Sequence, residues 1–135
     1  MALANLGIAL AGVHRFDDAI TAHQDAIRIF RHIGDRHSVA QALNNLGIAL
    51  TGAGRPGDAS SAHQDAAPIF QETGDIHGVG VALASVGDAM AKVGRFGEAI
   101  TALQDATAIF QEAGDRHGES VALTTLKRVR GAQNT

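Results

Sequence analysis

Ala42-Leu43-Asn44-Asn45-Leu46-Gly47-Ile48-Ala49-Leu50 nearly repeats Leu3-Ala4-Asn5-Leu6-Gly7-Ile8-Ala9-Leu10, and it returns in altered form as Leu83-Ala84-Ser85-Val86-Gly87-Asp88-Ala89-Met90. The copies are spaced forty residues apart, and the register holds without a gap from Leu3 to His117. A fixed period in the range of roughly 20 to 50 residues marks a protein built from stacked units, none of which can bury its apolar face alone.

Working outward from Leu43, the positions Val39, Leu43, Leu46, Leu50 and Ala53 recur at steps of three and four, the spacing of one helical face. Asp35 follows Gly34, so a residue suited to ending a helix stands beside one suited to starting the next. Gly52 and Gly54 then punctuate the chain, and Pro56 fits the first turn of a second helix, where its missing N–H is not needed. In the first unit that second helix carries Phe16, Ala19, Ile20, His23, Ala26, Ile27, Phe30 and Ile33 on one side. Asp17, Asp18, Asp58 and Glu98 fall in first turns, where negative charge complements the helix dipole.

The period therefore predicts helices near 2–13, 16–33, 36–52, 56–73, 76–92, 96–113 and 116–130. The fold class is all-α, a single solenoid over 1–135 made of antiparallel helix pairs. Its repeats cover about 1–34, 35–74 and 75–114, followed by a capping helix over 115–130 and a polar tail over 131–135. The capping helix is expected to turn Val121, Leu123, Leu126 and Val129 inward and to carry Lys127, Arg128 and Arg130 outside, where they offset the dipole. Pro68 in mid-helix predicts a kink, because it removes a bond to the Gln64 carbonyl at a cost of ~3 kcal/mol. Gly78 and Gly80 follow in the next helix at roughly 1 kcal/mol each relative to Ala, so any opening of the array is expected between 56–73 and 76–92.

The composition narrows the function. Five Phe with no Trp or Tyr, against abundant Ala, Leu, Ile and Gly, suits helices packed closely through small side chains. A net charge of −3 gives no reason to expect nucleic acid or an anionic membrane as partner. The absence of Cys removes disulfides and thiol chemistry and is compatible with the cytoplasm. Met1 to Val13 is apolar but lacks a basic leader, and its near copy inside the chain argues for a structural unit. No run approaches the roughly 20 apolar residues of a membrane-spanning helix.

The unit resembles the tetratricopeptide repeat through Leu43, Leu46-Gly47 and Leu50 on the first helix and Ala59 and Ala66 on the second. It is longer than that family's usual period of roughly 34, and Gln71 stands in the region of the family's closing proline. Asn-Asn-Leu-Gly followed by Gly-Asp-Arg-His is similar to the long repeats of bacterial signal-transduction ATPases and transcriptional regulators, and to those of kinesin light chains. The resemblance implies a right-handed superhelix whose first helices line a concave, peptide-binding groove.

If Leu43, Leu46 and Leu50 face the stack, then Gln41, Asn45, Ile48 and Gly52 form a second helical face. Asn5 and Ile8 extend it on one side, and Val81, Ser85, Asp88 and Lys92, then Thr125 and Arg128, on the other. In related peptide-binding members an Asn at the place of Asn5 and Asn45 reaches the ligand, and a carboxamide suits that task because it both donates and accepts. Members that clamp terminal carboxylates use several Lys and Arg; here only Lys92 and Arg128 are basic on that face.

Other motifs yield to the period. His37, His77 and His117 recur at helix starts, and His23 and His63 on second helices. Equivalent positions in stacked helices lie about 10 Å apart, whereas zinc ligands stand near ~4 Å from one another, so no metal site is expected. Gly52-Ala53-Gly54-Arg55-Pro56-Gly57 spells the dinucleotide-binding pattern, but it joins two helices and follows no strand. Asp25, Asp65 and Asp105 are one period apart and form no carboxylate pair. The expected function is a protein-binding module without catalysis or cofactor, holding a peptide or helix within a regulatory assembly. The alternative is self-association through the stack end at Met1 to Val13.

Overall fold

The computed structural model describes residues 15–134. They form six helices, α1 (Phe16–Ile33), α2 (Arg36–Gly52), α3 (Pro56–Glu72), α4 (Ile76–Lys92), α5 (Phe96–Ala113) and α6 (Arg116–Gln133), with no strand among the described residues. The helix expected near 2–13, with Asn5 and Ile8, lies outside the described residues, as does the proposed self-association face.

The boundaries follow from the chemistry between helices. Asp35, Asp75 and Asp115 each cap a helix, accepting the backbone N–H of Ser38, Gly78 and Gly118 at 3.1, 2.8 and 2.8 Å. Just before, Gly34 takes a left-handed φ of 75° and lets the Asp35 N–H reach back to the Phe30 carbonyl at 3.0 Å, closing α1. The same Gly-Asp step closes α3 and α5 with Asp75 and Asp115 N–H bonds to Phe70 and Phe110, both 2.9 Å.

Consecutive helices pack as antiparallel neighbours along the whole series, and α2 also touches α4 and α4 touches α6. No such contact joins α1, α3 and α5 to one another. The layer of α2, α4 and α6 is thus the tighter one and lies on the inside of the curve.

The core is built from small residues at the crossings. Ala19, Ala26, Ala40, Ala49, Ala59, Ala66, Ala82, Ala99 and Ala106 are fully buried, and Leu43, Leu50, Phe70, Leu103 and Phe110 fill the gaps between them. Three glycines of α4 admit a neighbouring side chain. A Cβ on Gly78 would stand 2.5 Å from the Phe70 ring, on Gly80 2.7 Å from Phe110, and on Gly87 2.6 Å from Leu103. Gly78 and Gly80 are therefore close-packed seats for aromatic rings, and the expectation that they mark the place where the array opens is corrected.

Pro68 does not interrupt α3, which stays helical to Glu72. Both Pro68 and Gln64 are exposed, so the carbonyl deprived of its donor faces water. The helix thus continues through the position at which a kink is expected. α6 runs to Gln133, three residues past its expected end, because no Gly-Asp step stops it and Arg130 lies in its last turn. Its buried face is Ala122, Leu126 and Val129; Val121 and Leu123, expected inside, are 49% and 45% exposed. Ile33, expected on the inner stripe of α1, is 63% exposed at the helix end.

Lys127 occupies the α6 position at which α2 has Gly47 and α4 has Gly87, and Arg130 replaces Leu50 and Met90. Both are exposed. The face that receives a second helix in the earlier units is here charged.

Candidate functional site

The inner layer opens into a cleft of about 560 Å³ between α2, α4 and α6. Ile48 and Thr51 come from α2, Val81, Ala84, Ser85 and Asp88 from α4, and Val121 and Thr125 from α6. His77, Asp115 and His117, at the N-terminal ends of α4 and α6, complete one end. Ile48 on one wall is 55% exposed and Val121 on the other 49% exposed.

Of the residues expected on this face, Ile48, Val81, Ser85, Asp88 and Thr125 line the cleft. Gln41, Asn45, Gly52, Lys92 and Arg128 are not among its lining residues. Gln41 is exposed and Asn45 half-buried. Gly52 instead seats the Phe16 ring of α1, where a Cβ would collide, so it belongs to the stack. Lys92 and Arg128 act indirectly, holding the two oxygens of Asp88 at 3.0 and 2.8 Å.

Three features of the site were not foreseen. The first is a ladder at the helix starts. His37 Nε2 donates to Asp75 at 3.0 Å and His77 Nδ1 to Asp115 at 2.6 Å, each reaching the capping carboxylate of the next first helix. The rings lie 5.8 Å from Phe70 and 5.9 Å from Phe110. The His37 bond, with the Gly78 N–H, holds Asp75 below the usual carboxylate range; the Gly118 N–H, with His77, does so for Asp115. The recurrence of Gly-Asp-x-His one period apart carries this signal.

The second is a polar pair in the cleft wall. His63 of α3 is 2% exposed, and its Nδ1 donates to the Asn44 carboxamide oxygen at 2.5 Å. Gly47 gives the ring its place, since any Cβ there would overlap it. Burial pushes the imidazole down to about 4, against the opposing pull of Asp88. Asn45, the residue favoured by the sequence reading, is the neighbour of the one that makes this bond.

The third is its counterpart in the preceding unit. His23 is buried and its Nδ1 has no hydrogen-bond partner among the described residues. Burial lowers its pKa too.

Among the described residues no group of three His, Asp or Glu comes together as a metal site, and no helix is long and apolar enough to cross a membrane.

Known proteins match this arrangement. The anaphase-promoting complex subunit 5 model matches residues 81–133. Among solved structures, the apo form of RapI is similar with a TM-score of 0.88 and 15% identity, over 98% of this chain and 48% of that one. BtubC (BKLC) from P. vanneervenii is similar with a TM-score of 0.70 and 18% identity, over 98% of this chain and 63% of that one. The chain thus spans about half the length of RapI and less than two thirds of BtubC. No curated protein matches. The tetratricopeptide repeat model matches residues 1–72, more than half of the chain, and with the helical pairs described above it shows that the chain belongs to the tetratricopeptide repeat family.

Proposed function

We propose that the chain is a non-catalytic interaction module that holds a peptide or helix of a partner protein in the cleft between α2, α4 and α6, as part of a regulatory or signalling assembly in the cytoplasm. The unit boundaries belong to this reading: repeats over about 1–34, 35–74 and 75–114, then a closing helix. The observation that carries it is the pair of exposed aliphatic walls, Ile48 and Val121, facing a floor of Val81, Ala84 and Ser85. Apolar pockets with a few placed polar groups are the usual form of a binding site. Gln41 and Asn45 supply rim contacts, Lys92 acts through Asp88, and Asn5 and Ile8 extend the surface in this reading.

The test is selection of a random linear peptide library on the full chain, followed by the same selection on Ile48→Glu. Ile48 and Val121 are both exposed to solvent, so the fold tolerates a change to Glu at either, and circular dichroism serves as control. Peptides that bind the original chain and are lost on Ile48→Glu support the groove. Binders indifferent to Ile48→Glu and to Val121→Glu place the contact elsewhere and remove this reading.

A further inference from the structure

His63 is a cleft residue with one nitrogen engaged. Its Nδ1 donates to Asn44, and no hydrogen bond within the described residues occupies Nε2. The Asn44 bond sets the tautomer: with the proton on Nδ1, Nε2 carries a lone pair. The ring is 2% exposed and lines the cleft, so an acceptor stands at the edge of a largely apolar space.

We propose that Nε2 of His63 is a ligand-binding acceptor, taking a hydrogen bond from a hydroxyl or carboxamide side chain of a linear peptide whose adjacent aliphatic residues rest on Ile48, Val81 and Val121. This rests on the peptide-binding reading above and specifies the occupant.

The charges around the cleft favour a neutral donor over a cationic one. Asp88 is already held by Lys92 and Arg128, and Asp115 by His77 and the Gly118 N–H. No free carboxylate is left for an ammonium or guanidinium, and burying a cation unpaired is costly. A neutral donor leaves neither side unsatisfied. Discrimination follows, because a ligand without the donor leaves a buried acceptor dry.

The next unit supplies the control. There Leu103 occupies the place of His63, over Gly87, and Ala84 that of Asn44. The double change Asn44→Ala with His63→Leu therefore copies a pairing this fold already contains, and removes the acceptor.

The experiment uses peptides selected from the random linear library on the full chain. The selected peptides are expected to carry Ser, Thr, Asn or Gln beside Val, Ile or Leu. Exchanging that donor for an apolar residue of like size, Thr for Val, weakens binding about tenfold. The Asn44→Ala, His63→Leu chain binds the parent peptide about tenfold more weakly and does not distinguish it from the Val peptide. On the original chain, the Nε2 nitrogen resonance of His63 moves upfield with the parent peptide and stays still with the Val peptide; this readout does not depend on a variant folding. Equal affinities for the two peptides, or a resonance unmoved by the parent, overturns the assignment. If Ile48→Glu abolishes binding while these His63 readouts are null, the groove stands and the acceptor falls. If binding survives both Ile48→Glu and Val121→Glu, both fall.

Discussion

The crossing of α2 with α3 and the crossing of α4 with α5 solve one packing problem with opposite chemistry. Each first helix offers a glycine, Gly47 or Gly87, and each second helix inserts a side chain over it, His63 or Leu103. Where the inserted group is polar, Asn44 answers it with a hydrogen bond; where it is apolar, Ala84 stands aside. The glycine is set by backbone approach, and what covers it is free to vary. The stack thus keeps its geometry while one unit presents a nitrogen to the cleft and the next does not.

The largest expected effect comes from filling the shared feature. Gly87→Val would drive a Cβ into Leu103 and to 3.1 Å from the Ala99 carbonyl, a fixed backbone atom. A loss of about 3 kcal/mol is expected in denaturant unfolding. An unchanged midpoint would show that the glycine is not what sets the approach.

Acid separates the two crossings next. The unfolded chain takes up a proton on the His63 imidazole near pH 6.5, and the folded one only near 4. The contribution is therefore complete above pH 6.5 and is lost as pH falls from 6.5 towards 4, by about 3 kcal/mol. His23 acts in the same direction. Comparing unfolding at several pH values in the original chain and in the Asn44→Ala, His63→Leu chain isolates the His63 share; parallel curves would mean the ring titrates freely.

Exchanging the chemistry between crossings sharpens the comparison. Leu103→His alone buries a polar ring without a partner and should cost about 2 kcal/mol. Adding Ala84→Asn should return about 1 kcal/mol of it, a coupling measurable as a double-mutant cycle. Additive effects would show that the Asn44–His63 bond is incidental to its setting.

The smallest effects lie in the ladder. Asp75→Ala removes a helix cap and should cost about 1 kcal/mol, whereas His37→Ala breaks only a half-exposed pair and should cost about 0.5 kcal/mol or less. A His37 effect as large as that of Asp75 would make the ladder, not the cap, the stabilising element.

Much of this was legible beforehand. The period and the Gly-Asp steps placed five described helices to within one residue, because Asp caps and left-handed glycines act locally. The groove face was legible in part: Ile48, Val81, Ser85, Asp88 and Thr125 share one helical stripe, and that stripe lines the cleft. Gly52 was misassigned because a stripe says nothing of what lies across from it, here Phe16. Gly78 and Gly80 were misjudged for the same reason, since propensity counts their backbone freedom and not the Phe70 and Phe110 rings they admit. Pro68 taught the converse: its cost depends on whether Gln64 can reach water. The Asn44–His63 bond joins two helices, and neither residue alone announces it.

Lys127 has a consequence for anyone who would lengthen this protein. An ammonium group on a long stem occupies the spot where earlier units leave a vacancy for their neighbour's ring or branched chain. Modules spliced upstream of α6 would meet glycine and apolar side chains at their joints, whereas a second helix set against α6 would meet a charged post in the middle of the joint.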